Sequence, residues 1–533
     1  MSGYDTVIVG SGFGGSFIAD VLVRAGERVL MIERGGWVPR DESNWGPDGA
    51  GLLTRYYSRE TPYEVELPHR RVIAGSFNCV GGPSVFYGGA SLRLRESDFE
   101  PNPEIAGDSG ARWPISYPDL EPYYTLAERM LDVAGTAGDD PTEPPRSAPY
   151  PQRSPPLTET AGLIARVASD LELHPFSLPL AINYGSATTR SACISCATCD
   201  GFACAIGAKN DLATTLIPEL ISRGMELRER TVVVRLLERG GRVTGVRCIH
   251  ADSGQVVELA AKRVILAAGA IGSVHLVLTS GLDRLNPAGH AIGRFLLRHR
   301  NELVLGIFPT PPGRPDRFHK QVAIHDFYEG HAGVAWPRGR LGGLQQFSTP
   351  TSSIVRAYVG RGLQHGVMPV LRRTTGILVL AEDQPRYDNH IRLDDARRDR
   401  FGLPQLIIRH RYAPRDIAAA RALAYQAKRI LRYAGARLFF MHHLPSFSHA
   451  VGTMRFGVDP RTAPLDAECR FRGVDNLYVV DGCFMPSAGG VNPSLTIAAN
   501  ALRVGSHLGG RVVSRGADAA TAPREPFLAG TPR

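Results

Sequence analysis

The sequence predicts an α/β fold on three observations. Residues 4–33 read as strand, glycine turn, helix, strand and acid. Residues 263–273 read as a buried strand that turns through small residues into a helix. Between about 300 and 450 lie strand-like runs and one long helical pattern. Together they describe a Rossmann-like dinucleotide-binding domain assembled from separated pieces of chain. A second, α+β domain built on an antiparallel sheet is interleaved with it. The chain has 533 residues, more than one ordinary core accommodates. Its 43% apolar residues can fill a large core, and 21% charged residues is usual for a soluble globular protein.

The first unit carries the clearest chemistry. Tyr4 to Val9 is a short β-branched run of the kind found in buried parallel strands. It enters Gly10-Ser11-Gly12-Phe13-Gly14-Gly15, and apolar residues at Phe17, Ile18, Val21 and Leu22 follow at helical spacing until Gly26. A second strand, Arg28 to Ile32, ends at Glu33. Gly10 allows the tight turn, Gly12 lets backbone approach a pyrophosphate, and Gly15 lets the helix pack on the strand. The helix N-terminus offers free N–H groups and partial positive charge to phosphates. Glu33 stands where a carboxylate accepts hydrogen bonds from ribose hydroxyls.

Later elements follow in order. Residues 101–204 form a helical segment, a proline-rich connection (Asp140 to Pro156) and a cysteine loop. Thr231 to Leu237 and Arg242 to His250 read as two strands joined by a Gly-Gly turn. Glu302 to Phe308 and Thr375 to Leu380 read as strands, and Pro414 to Tyr433 as a strong helix. The dinucleotide domain is assigned to 1–100, 205–295 and 450–512, and the second domain to 296–449. The small, polar residues 513–533 are expected to be a disordered tail.

Charge and targeting exclude several classes. The net charge is +9, but lysine occurs only at 209, 262, 320 and 428, and the arginines are mixed with acids. No basic block of a nucleic-acid-binding tail is present. No run approaches the roughly 20 apolar residues that span a bilayer. The chain enters a strand at once, without a basic leader or cleavage site, so a cytoplasmic protein is expected. Eight cysteines in a chain this long fit a reducing compartment rather than a disulfide scaffold.

Three further segments carry a family resemblance. The first, Asn78-Cys79-Val80-Gly81-Gly82-Pro83-Ser84-Val85-Phe86-Tyr87-Gly88-Gly89, is a glycine-rich loop. The second is Arg263 to Ser273, with Ala268-Gly269 at its turn. The third joins Ser448-His449-Ala450-Val451-Gly452-Thr453 to Asn476 through Asp481-Gly482 and then Asn492-Pro493-Ser494. These resemble the signatures of glucose–methanol–choline (GMC) oxidoreductases, discontinuously from about residue 4 to 510. Trp113-Pro114 to Tyr123-Tyr124 is similar to the sugar-oxidising branch, which includes pyranose oxidases and hexose or gluconate dehydrogenases. Glu382-Asp383-Gln384-Pro385 through Asn389 is similar to GMC substrate domains.

The resemblance implies FAD as cofactor, held by Gly10, Gly12, Phe13, Gly14, Gly15, Glu33 and Arg34. It adds Gly81, Gly82 and Ser84 of the second loop, and Val233, whose backbone would hold the adenine. Ala268, Gly269, Asp481, Gly482, Asn492 and Pro493 complete the set, with Asp481 near the ribityl chain. Pyranose oxidases link FAD to a histidine at the position of Phe86, and phenylalanine cannot form that bond. Non-covalent FAD is therefore expected.

Alcohol oxidation removes a proton and a hydride, so a base must reach the hydroxyl while a flavin takes the hydride. His449 is the candidate base, since imidazole titrates near working pH. Asn492 would hydrogen-bond the substrate oxygen. His442 and His443 read as solvated loop residues. The expected substrate is a sugar-like or polyhydroxylated alcohol, with oxygen or a redox partner as electron acceptor. A sterol or other apolar alcohol, or a non-catalytic electron carrier, are the alternatives. Cys193, Cys196, Cys199 and Cys204 could hold zinc or an iron–sulfur cluster, remain metal-free thiols, or form a local disulfide. No metal is assigned, and the cluster is expected to lie outside the FAD segments.

Overall fold

A computed structural model describes residues 3–41, 57–67, 70–185, 190–196, 198–314, 320–347, 366–367 and 369–510. The tail expected to be disordered lies outside the described residues. Among those described, the strands form three sheets.

The first sheet is the dinucleotide-type one. Its parallel part runs β6 (Glu226–Arg228), β2 (Val29–Ile32), β1 (Tyr4–Val9), β9 (Val256–Leu266) and β17 (Leu477–Val479). Strand β9 is shared. Its second half pairs with β1, placing Ile8 beside Ile265, while its first half pairs antiparallel with β8 (Arg242–His250), which pairs with β7 (Thr231–Arg239). The parallel strands are apolar on both faces because helices cover them. Helix α1 (Phe13–Arg24) follows β1, and α5 (Gly269–Ser280) follows β9. The final helix, α7 (Ser494–Leu508), lies against α1, where a Cβ on Gly505 would press on Val21 at 3.0 Å.

The second sheet is antiparallel: β16 (Leu438–His443), β10 (Arg300–Ile307), β13 (Thr374–Ala381), β12 (Gly342–Phe347), β11 (Val322–Ile324) and β5 (Pro175–Ser177). Helix α6 (Pro414–Tyr433) covers it with a stripe of Ala419, Ala420, Leu423, Ala427, Ile430 and Leu431. Pro414 opens that helix and the Asp416 carboxylate accepts from the Ala413 amide at 2.8 Å, satisfying a terminal donor. Helices α2 (Tyr117–Met130), α3 (Glu159–Asp170) and α4 (Leu216–Ser222) belong to the intervening chain.

A third sheet runs β14 (His390–Arg398), β15 (Pro404–Arg409), β3 (Tyr57–Leu67) and β4 (Arg70–Phe77). It joins residues grouped from sequence with the first domain to residues grouped with the second, through parallel pairing of β15 with β3. His442 and His443 are not loop residues. They sit on the edge strand β16, opposite Leu303 and Glu302, because Leu438 to His443 pairs in register with β10.

Candidate active site

The first glycine turn is shaped by what surrounds it. Gly10 has φ +103°, and a Cβ there would meet the Ala267 carbonyl at 2.4 Å. A Cβ on Gly14 would meet the Val480 carbonyl at 2.4 Å, so the C-terminal block lies directly on α1. Gly12 differs: nothing stands within 4 Å of a Cβ built on it. Gly12 thus borders a space beside the helix N-terminus, which has no acidic residue in its first turn. That arrangement fits a pyrophosphate.

The other predicted cofactor residues converge on the same place. Ser11 Oγ donates to Glu33 Oε2 at 2.6 Å and accepts from the Gly81 amide at 2.9 Å. Gly82 lies beside Gly12, and Ser84 Oγ closes its own loop by donating to the Gly81 carbonyl at 2.6 Å. Asp481 accepts from the Gly269 amide at 3.0 Å and from Ser273, tying β17 to the start of α5 immediately after Ala268. Asp481 also caps the turn that begins at Gly482. Burial pushes the Asp481 carboxyl above its ordinary range, against these bonds. Thr231 N donates to the Glu33 carbonyl at 2.9 Å, which ties β7, the strand of Val233, to the end of β2. Phe13 packs on Phe17 and, edge-on, on Tyr87. The Glu33 carboxylate accepts from Ser11 and the Gly35 amide, with acceptor positions left over, and the Arg34 guanidinium reaches Asp399 at 3.4 Å.

His449 arrives from the other side. An antiparallel bridge pairs Leu297 with Val451, with bonds of 3.0 Å in both directions. Two residues further along that register, His299 faces His449, and their Nδ1 atoms are 3.0 Å apart. His449 Nε2 stands 3.3 Å from Asn492 Nδ2. Asn492 Oδ1 accepts from Gln345 Nε2 of β12 at 2.7 Å. Pro493 then caps α7. Burial, with His299 and Lys320 adding to it, holds the His449 imidazole well below its ordinary pKa. The ring is therefore neutral at neutral pH.

His299, Gln345 and Lys320 were given no role from sequence, and Asp383 was read only as part of a segment similar to GMC substrate domains. Asp383 accepts from the Arg298 amide (3.0 Å) and the His299 amide (3.0 Å), fixing His299 at φ +57°. Lys320 pairs with Asp200 of the cysteine loop. That loop, although outside the FAD segments in sequence, reaches the second glycine motif. The Gly201 amide donates to the Phe86 carbonyl at 2.8 Å. The buried Lys209 ammonium donates to the carbonyls of Tyr87 (2.7 Å), Cys199 (3.2 Å) and Phe202 (2.7 Å). Cys193, Cys196, Cys199 and Cys204 are free thiols, and burial pushes Cys193 and Cys199 further from ionisation. Among the described residues, no three His, Cys, Asp or Glu side chains are placed to hold a metal ion. Nor is any described helix long and apolar enough to cross a membrane.

Known proteins give the same outline. Two models described as GMC oxidoreductase match residues 182–301 and 385–501. The 6'''-hydroxyparomomycin C oxidase of Streptomyces lividus is 33% identical over 95% of this chain and 92% of its own length. The paromamine 6'-oxidase of Streptomyces fradiae is 32% identical over 96% and 92%. Sugar dehydrogenases, the branch suggested by the Trp113 to Tyr124 stretch, are more distant, at 25% identity and below. The crystal structure of pyridoxine 4-oxidase from Mesorbium loti shares the fold, with a TM-score of 0.66, 20% identity, and coverage of 96% of this chain and 100% of that one. The chain therefore belongs to the GMC oxidoreductases, enzymes of FAD-dependent alcohol oxidation.

Proposed function

We propose that this enzyme oxidises a hydroxyl group of a polyhydroxylated aminosugar to a carbonyl, with His449 as the general base. The observation that carries the chemistry is the His449 ring, kept neutral by burial, with Nε2 beside the Asn492 amide. Bound FAD supplies the acceptor for the hydride that leaves the carbinol carbon. The chain's own part is the proton. The hydroxyl O–H bond breaks towards His449 Nε2, and Asn492, held by Gln345, is placed to hydrogen-bond the substrate oxygen as charge develops on it.

The substrate reading is supported by the two relatives at about a third identity, since paromamine and paromomycin are polyhydroxylated aminosugars. Both are named oxidases, which supports oxygen over a redox partner as the final acceptor. The space bordered by Gly12, and the bonds joining the Gly81 and Asp481 loops to it, support FAD held by these segments. Phe86 in place of a linking histidine supports non-covalent attachment. The eight cysteines support a cytoplasmic location.

Anaerobic stopped-flow reduction of the bound flavin tests this, with a panel of aminosugars, neutral sugars, sugar acids and apolar alcohols. Aminosugars should reduce it fastest. His449→Ala should keep its flavin but reduce it roughly 10²–10⁴-fold more slowly, the usual loss of a general base. Asn492→Ala should lose less, because the base remains. A wild-type rate in His449→Ala would remove His449 from the chemistry. Reduction by apolar alcohols alone would overturn the substrate class.

A further inference from the structure

The hydrogen bonds behind His449 define which of its nitrogens carries the proton. The chain of bonds ends on a backbone carbonyl. His299 Nε2 lies 2.7 Å from the Gly489 oxygen. A carbonyl can only accept, so His299 Nε2 must carry a hydrogen. His299 is deeply buried, and that burial depresses its pKa, so the ring is neutral and has no second hydrogen. Its Nδ1 is therefore an acceptor. The partner 3.0 Å away is His449 Nδ1, which must then be the donor. In a neutral ring that leaves Nε2 of His449 with a bare lone pair, pointing at the Asn492 amide 3.3 Å away. This deduction does not depend on how the amides of Asn492 and Gln345 are oriented, because the Gly489 carbonyl and the neutral His299 ring together set the sense of the chain.

The surroundings hold His299 for this purpose from both ends. Asp383 takes its backbone amide, and the Tyr412 hydroxyl donates to its carbonyl at 2.8 Å. Glu382 takes the Gly489 amide at 3.1 Å, and the Tyr328 hydroxyl oxygen takes the Gly490 amide at 2.8 Å, holding from both sides the residue whose oxygen anchors the ring. The left-handed backbone of a non-glycine residue is strained and persists where surrounding bonds over-determine it. The acidic pair Glu382-Asp383 thus acts on one imidazole.

We infer that His299 is a positioning residue that locks His449 in the tautomer protonated at Nδ1, so that Nε2 is the atom that takes the substrate proton. The inference rests on His449 being the base, and it is tested by a measurement that needs no turnover. Nitrogen-15 imidazole spectra of histidine-labelled FAD holoprotein, assigned by the signal lost in His449→Asn, read the tautomer directly. Wild-type His449 should show a pyrrole-like Nδ1 and a pyridine-like Nε2. His299→Leu should give a mixed pattern and reduce its flavin about 10- to 100-fold more slowly at saturating substrate, with KM little changed. His299→Gln, which can donate to Gly489 and accept from His449, should restore the pattern and most of the rate. A pyridine-like Nδ1 in the wild type overturns the inference, whether or not His299→Leu folds. So does an unchanged pattern in His299→Leu, or a Gln variant as slow as Leu with the wild-type pattern. A wild-type rate in His449→Ala would instead remove the base assignment and leave the tautomer standing.

Discussion

Ser11 illustrates how much a single small side chain carries in this cradle. Its hydroxyl bonds to Glu33 and to the amide of Gly81, while its backbone oxygen accepts from Ser16 at 2.8 Å. One residue between two glycines thereby joins the first turn, the acid after β2 and the second loop. Phe86, further along that loop, bears on how the flavin is attached. Its ring is buried and stacks on Phe77 with centroids 5.3 Å apart. A benzene ring has no nucleophilic atom with which to bond a flavin. Acid precipitation of the yellow holoprotein should therefore leave all the colour in the supernatant. Colour retained in the pellet would show a covalent link through some other residue.

At the scale of elements, the loop from Cys193 to Lys209 is tied to the second glycine motif by the Lys209 ammonium and the Gly201 amide. Lys209 satisfies three carbonyls from two loops, and removing it would strand them in the interior. Cys196 Sγ, by contrast, bonds to Thr198 of its own loop, at 3.3 Å from the carbonyl. Lys209→Met should weaken FAD retention at least about tenfold, given about 1–3 kcal/mol for each stranded polar group, while Cys196→Ser keeps the wild-type flavin-to-protein ratio. Equal ratios in both variants would refute this role for Lys209. This loop also shows where legibility ended. The N-terminal unit, β7, β8 and α6 were readable because period, turn glycines and an N-terminal proline are local signals. Helix α6 has the bounds Pro414–Tyr433 in both readings, and β8 has Arg242–His250. The approach of His449 to Asn492 was legible through motif context. His299 was not, because it is a lone histidine between two arginines whose partner lies 150 residues away. The pairing of β3 with β15 was likewise hidden, since register between distant strands leaves no mark on either strand alone.

Across the whole molecule, the three sheets are held together by elements that reach from one to another, and His275 is one such reach. It projects from α5, beside the first sheet, and its Nε2 lies 2.7 Å from the Pro404 carbonyl at the start of β15 in the third. As with His299, bonding to a carbonyl requires a hydrogen on that nitrogen, which a neutral ring supplies. Burial is the main reason that the pKa of His275 is lowered from 6.5 to about 4, and the nearby Arg34 lowers it further. The sign follows from linkage. Between about 6.5 and 4 the unfolded chain binds a proton at this residue and the folded protein does not, so acidification favours unfolding. Stability from the neutral ring is complete above about 6.5 and is lost as pH falls towards about 4, by up to about 1.4 kcal/mol per unit. His275→Gln keeps a donor for Pro404 and removes the titration. Other buried groups are common to both proteins and cancel in the comparison. Thermal midpoints measured on the FAD-bound proteins should run parallel above about pH 6.5. Below it, the wild type should fall faster than the variant. Parallel curves down to pH 4 would mean that His275 accepts its proton inside the fold, and that this contact between the first and third sheets survives with a charged ring.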